Sequence, residues 1–454
     1  MAVALSPERA APAPSKLSRG LEIFLWLLPF HIAVMALLFG YVGVPGQIMR
    51  VIAAWKEVLV LALAAGAVGR ALVSRGPRVA VCGLDIAVAG LLFYAVWFVV
   101  GAGAAYGQGE VPLAARLYGL RDAALFLLLY FVGRATPSVV QSDRILRILV
   151  VVGAVTSVIA ILERLLVSPA TLVVLGAARY FREFLGVTLA TTSNEYGLPD
   201  NYWTIIGDQL VRRVGSTYLS SQGFALPFLV ILPAATLWVT GARRHLHVLA
   251  WGVYALLWIA LLLTVSRMTI VACLFQTLLI AGLRRRWSLP MNLGTAVLAG
   301  LAIATVLFPG AVIFAWNTLT WQTASSATHL EDWRQGLLNI AEYPLGAGLG
   351  TADQVAMRFG LSPLAYDNQY LTYAVQLGIP GLGLMLAVLA GGVVAGVRAW
   401  RSAVEPLSHY GVLVAVTGLG IVWNALTAGV FNSMFLSYVF FWLVGAVVTG
   451  AKKG

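Results

Sequence analysis

The sequence predicts an all-α polytopic membrane protein, and three observations carry that prediction. Hydrophobic residues make up 60% of the chain and charged residues 11%, whereas about a quarter of a soluble domain is charged. Mean hydropathy is +0.88. Apolar runs of about 20 residues, enough to cross a hydrocarbon layer of about 30 Å, recur from one end to the other.

The elements follow in order. Residues 1–20 are Pro/Ala-rich and basic, with no small-residue cleavage site after the first apolar run. They read as a disordered cytoplasmic tail, not a removable leader. A single transmembrane domain, 21–450, then holds about twelve spans, near 21–42, 52–72, 80–103, 120–133, 146–166, 222–240, 246–265, 268–283, 290–313, 380–397, 407–428 and 433–450. Most of the 30 Lys and Arg lie in the tail and in the connections 70–79, 134–147, 241–247, 284–289 and 398–406. The positive-inside bias therefore predicts that both termini are cytoplasmic. It also accounts for the net charge of +12 without a nucleic-acid partner. Two long polar stretches, 167–221 and 314–379, fall on the outer face, where specialised chemistry is expected. No period of 20 to 50 residues repeats, which disfavours an inverted-repeat transporter. Cys82 and Cys273 sit in apolar runs and read as small core residues.

Several cations run against the topological rule, among them Arg50, Lys56, Arg121, Arg213, Arg267 and Arg358. Snorkelling to headgroups accounts for a single arginine at a span end. Arg267, in LTVSRMTIVAC, is flanked by apolar residues on both sides, and such a cation is by default a functional-site hypothesis. Arg213, in RRVGSTYLSSQGFAL, resembles it. Guanidinium forks donate paired planar hydrogen bonds, so two of them in one cavity suit a diphosphate without a metal. His329 is the single outer histidine, and no outer His or Cys pair has ligand spacing, so no metal is expected.

The stretch SATHLEDWRQGLLNIAEYP pairs Thr328 with Glu331 as a capping box, followed by Leu330, Trp333, Leu337 and Ile340 at helical spacing. That pattern predicts a short amphipathic helix on the membrane or over a cavity. PLGAGLGT then breaks it; without a preceding strand and a βαβ unit these glycines read as a close-packed turn, not a dinucleotide fingerprint. Tyr196, Tyr202, Trp203, Trp321 and Tyr370 suit either an interfacial belt or a sugar-binding cavity. In YDNQYLTYAVQLGIPGL, Asp367 and Asn368 stand at the outer start of the tenth span, as an N-cap or as chemistry.

The segments RRVGS, LTVSRMT, THLEDWRQGLLNIAEYPLGAGLG and DNQYLTYAVQLGIPGL, in this order and spacing, resemble the O-antigen ligase and O-antigen polymerase superfamily over roughly Arg212 to Leu384. The resemblance implies a GT-C-like membrane glycosyltransferase of the bacterial inner membrane, working on the periplasmic face without cofactor, metal or nucleotide sugar. Its implied donor is an undecaprenyl-diphosphate-linked oligosaccharide. Its acceptor is a glycan, either a growing chain or lipid A-core, and a polysaccharide chain-length regulator is a further implied partner. Arg213 and Arg267 match two family arginines that grip the donor diphosphate, with Lys56 and Arg121 as added candidates. Asp367 stands where ligases show a histidine base, and Asn368, Tyr370 and His329 are candidate substrate contacts. Because polymerases vary more at the histidine position, Asp367 points to a polymerase before a ligase.

The expected reaction is inverting attack by an acceptor hydroxyl on the anomeric carbon, with Asp367 as base or as orienting group. A lipid-linked oligosaccharide flippase is the alternative from another class. It would place more charge inside its spans, where Asp85, Glu163 and Arg164 are the main candidates.

Overall fold

The computed structural model describes residues 15–73, 80–100, 111–186, 197–206, 209–241, 246–285, 324–402 and 404–451, with 316, 317, 320 and 322 between them. Seven helices among the described residues are long and apolar enough to cross a membrane: Lys16–Tyr41, Gly46–Arg70, Gly83–Val100, Arg144–Leu166, Ser221–Gly241, Gln369–Arg401 and Leu407–Asn424. His247–Leu263, Arg267–Leu283 and Met434–Gly450 are shorter apolar helices. The predicted fourth span is a broken helix, Leu113–Ala124 and Leu128–Ala135 joined by the 3-10 turn Leu125–Leu127. Together these match every predicted span except the ninth, 290–313, which lies outside the described residues. Residues 1–14, Tyr196, Trp321 and much of the connections 70–79, 241–247 and 284–289 also lie outside them.

The first helix starts at Lys16, inside the expected tail, because the Ser15 hydroxyl caps it by accepting from the Ser18 N–H. The outer segment 167–221 carries an antiparallel hairpin, Trp203–Ile206 against Gln209–Arg212, besides its short helices. Period-2 patterning over four residues is too brief to stand out among apolar runs. The capping box does not hold: the helix runs Ala324–Glu342, so Thr328 lies a turn inside it. Tyr202 is fully buried in a second apolar cluster with Met35, Phe39 and Leu198, so it serves neither a belt nor a sugar cavity.

Small residues and internal polar bonds hold the spans together, as expected where lipid removes most of the hydrophobic drive between helices. Met434–Gly450 crosses Leu128–Ala135 at Gly133 and Gly445, where an added Cβ would come within 2.1 Å of the Trp442 carbonyl and 2.0 Å of the Tyr130 carbonyl respectively. Pro233 lies inside Phe228–Gly241 and cannot donate to the Leu229 carbonyl. That carbonyl accepts instead from Gln276 Nε2 at 3.0 Å and Thr417 Oγ1 at 3.2 Å, which ties three helices at one point.

The two carboxylates singled out within the spans, Asp85 and Glu163, are paired in place, while Arg164 is exposed. Asp85 accepts from Arg134 at 2.9 Å and from the Tyr130 hydroxyl at 2.6 Å. Glu163 accepts from Arg212 at 3.2 Å and from the Ser216 N–H at 2.6 Å. Both pairs read as fasteners of the bundle, not as a transport path.

Candidate functional site

A glycine turn and a broken helix build the site. Pro380 offers no N–H to the Gln376 carbonyl, and Gly378 leaves helical geometry altogether (φ +70°, ψ 179°). The turn after Tyr343 supplies the missing donors: Ala347 N–H to the Val375 carbonyl (2.7 Å) and Gly348 N–H to the Gln376 carbonyl (3.2 Å). In return the Ile379 N–H reaches the Pro344 carbonyl at 2.9 Å. Gly346 adopts φ +103°, and a Cβ there would meet the Gly378 nitrogen at 2.8 Å, so only glycine permits this approach. LGIPGL is thus the break ahead of the tenth span.

Beyond this junction the turn leads into Asp353–Arg358, which forms one wall of a cavity of about 210 Å³. Its polar lining includes Asp122, Asp353, Gln369, Thr372, Gln376 and Asn432. A larger groove of about 520 Å³ adjoins it and is mainly apolar, with Leu28, Ile32, Leu117, Phe184 and Phe435 in its wall. Arg50, Lys56, Arg121 and Arg358 also line the groove. Tyr118, Arg121, Arg358 and Asn432 belong to both spaces. At that boundary the guanidinium groups of Arg121 and Arg358 lie 4.8 and 4.7 Å from the centre of the Tyr118 ring, a cation–π seat.

Of the eight residues singled out from the sequence, Lys56 and Arg121 come together in the groove. Lys56 pairs with Glu57 at 3.0 Å, and Arg121 grips Asp122 with Nε at 2.7 Å and a second nitrogen at 3.2 Å. Arg213 and Arg267 form a separate pair. The Arg213 Nε donates to the Thr264 carbonyl (2.6 Å) and its NH2 to the Ser266 hydroxyl (3.0 Å), beside Arg267. Burial, with the Arg267 charge added, lowers the Arg213 guanidinium to about 10, so it remains cationic at neutral pH. The turn after Arg213 contributes Tyr218 and Gly223 to the groove.

Asp367 occupies a left-handed conformation (φ +42°). Burial raises its carboxyl, opposed by His329 and assisted by Asp332. His329 Nδ1 is buried without a hydrogen-bond partner. Asn368 caps the next helix: its Oδ1 accepts from Tyr370 and Leu371 N–H at 3.0 and 3.1 Å, and its Nδ2 donates to the Leu426 carbonyl. The Tyr370 hydroxyl donates to the Val422 carbonyl at 2.6 Å.

Asp353 was not singled out in the sequence. Burial pushes its carboxyl up to about 7, the Asp367 charge adds to the rise, and the Thr372 hydroxyl, donating at 3.0 Å, opposes it. The available signal was a carboxylate immediately after a glycine-rich turn in an outer segment. Arg358 stood among the outward cations but carried no mark of its own until the fold set it against Tyr118.

Residues 252–386 match the family model described as O-antigen ligase. The match spans Arg267, His329, Asp353, Asp367 and the Gly378 break, and supports the O-antigen ligase and polymerase superfamily and a membrane glycosyltransferase of ligase or polymerase type. No curated protein matches the chain.

Proposed function

We propose, on the premise that residues 252–386 place this chain in the O-antigen ligase and polymerase superfamily, that it is a periplasmic-face polysaccharide polymerase. It moves an undecaprenyl-diphosphate-linked oligosaccharide onto a growing glycan. The observation that carries this reading is the joining of an apolar, cation-bearing groove to a smaller polar cavity. Such a site matches an amphiphile with a hydrocarbon tail, an anionic middle and a hydroxyl-rich head. The groove takes the polyprenyl end, and its cations hold the diphosphate as negative charge grows on the leaving group; Arg213 and Arg267, which the resemblance gives the same task, stand outside its lining. The Asp367 position, where ligases show histidine, favours polymerase over ligase.

The test is reconstitution of the purified chain in proteoliposomes with lipid-linked repeat units, with and without lipid A-core. Chain growth in the absence of lipid A-core is expected. Transfer only to lipid A-core makes the protein a ligase, and no transfer to either acceptor overturns the enzyme reading. Arg213→Ala and Arg267→Ala are each expected to lower transfer by about a hundredfold.

A further inference from the structure

We infer that Asp353 is the catalytic residue that takes the proton from the acceptor hydroxyl, and that Asp367 acts on it from behind as a positioning residue. The inference rests on the glycosyl-transfer reading above and deepens it.

Three carboxylates, Glu57, Asp122 and Asp353, line the two connected spaces. Glu57 is bound to Lys56, and Asp122 is gripped at both oxygens by Arg121. Each of the two therefore carries a cation on it, although the Glu57 Oε2 itself has no hydrogen-bond partner. Asp353 differs. It accepts from the Thr372 hydroxyl and the Asp367 N–H, and among the described residues no cation lies within ion-pair reach of it. Asp367 does not line the polar cavity; it faces His329 and Asp332 instead.

The backbone is arranged to present this one side chain. Asp353 is left-handed (φ +53°), a conformation that L residues rarely adopt. It is held there by its own N–H on the Ala365 carbonyl at 3.0 Å and by the Leu364 N–H on the Thr351 carbonyl at 2.9 Å. The charged and titratable groups around Asp353 are Tyr118, Arg121 and Asp122 from Leu113–Ala124, Arg358 on its own helix, Tyr366 and Asp367 from the following loop, and Tyr373 from Gln369–Arg401. The net effect of burial and of the neighbouring carboxylates is a carboxyl near 7. A base poised there combines a useful ionised fraction with real proton affinity, which an ordinary aspartate lacks.

The step balances without a co-reactant. The acceptor oxygen forms a bond to the anomeric carbon as its proton passes to an Asp353 carboxylate oxygen. The bond from that carbon to the diphosphate oxygen breaks, and its electron pair leaves with undecaprenyl diphosphate. The proton then passes from Asp353 to water.

The experiment uses the full chain in proteoliposomes with lipid-linked repeat units, and follows single-turnover transfer and donor binding from pH 5 to pH 9. For the wild-type chain, transfer is expected to rise with pH through about 7. Asp353→Asn is expected to lose about a hundredfold or more in rate, with donor binding unchanged and the acidic limb gone. Asp353→Glu should keep part of the rate and the limb. Asp367→Asn should shift the limb to lower pH, since one negative neighbour is removed, and keep measurable transfer. Wild-type rate in Asp353→Asn, or an unmoved acidic limb in it, overturns the assignment alone. If the wild-type chain transfers nothing, the glycosyltransferase reading falls and this one with it. Retained donor binding separates chemistry from misfolding.

Discussion

An aspartate with φ +53° and a carboxyl near 7 carries a linkage to stability as well as to rate. Its folded value lies above the ordinary 3.8. Its contribution is therefore fully present below about 4 and is lost as pH rises through about 7. Asp353→Asn should consequently gain more melting temperature over wild type at pH 8 than near pH 4, measured by thermal unfolding in detergent. Equal differences at the two pH values would remove the raised carboxyl. Arg213 makes a different kind of demand, because its planar fork bonds Thr264 and Ser266 at once. A lysine keeps the charge but not the fork. Arg213→Lys should weaken donor binding about tenfold, the worth of one charge-assisted hydrogen bond, and a titration showing wild-type affinity would count against a geometric role.

Among the elements, the turn 344–351 and the break at Gly378 form one unit, since each supplies bonds that the other lacks. Two glycines separate the contributions. At Gly360 (φ +74°) a Cβ has nothing within 4 Å, whereas at Gly378 (φ +70°) it would lie 2.4 Å from the Leu345 carbonyl carbon. Gly360→Ala should cost about 1 kcal/mol of backbone strain, and Gly378→Ala about 3 kcal/mol or more. Denaturant or thermal unfolding of the two variants checks this, and equal losses would mean that the junction is not tightly packed. The helix Ala324–Glu342 next to this unit has a divided stripe. Trp333 and Ile340 pack on the cluster of Ala347, Leu364 and Val375, while Leu330 and Leu337 stay 50% and 61% exposed. Helical spacing identified the element but could not tell which half of its stripe would be covered.

For the whole molecule, the residues lining the groove and cavity come from segments that charge and hydropathy assign to one side. Arg182 in 167–221 and Ser402 in 398–406 are both exposed and sit on opposite sides of that arrangement. With Cys82 replaced by serine, Arg182→Cys should react with a membrane-impermeant maleimide in cells whose outer membrane is permeabilised, and Ser402→Cys only after lysis. The reverse pattern would invert the proposed orientation. The internal ion pairs bear on function as well. Asp85 with Arg134 and Glu163 with Arg212 use the charges that a transporter would need along its path.

Hydropathy and charge bias were enough to determine an all-α bundle and, among the described residues, the positions of its spans. These depend on local composition and on the cost of burying a lone charge or an unpaired backbone group in hydrocarbon, which any chain segment reports by itself. The same reasoning exposed Lys56, Arg121, Arg213 and Arg267, because a cation on the wrong side is visible one residue at a time. The pairing of those cations and the seat on Tyr118 were decided only by the tertiary structure. So was the difference in surroundings between Asp353, which lines the polar cavity, and Asp367, 14 residues on in the chain, which does not. A carboxylate's proton affinity depends on what surrounds it in space, and here Leu113–Ala124, the Asp353 turn and the head of Gln369–Arg401 each supply part of that surrounding.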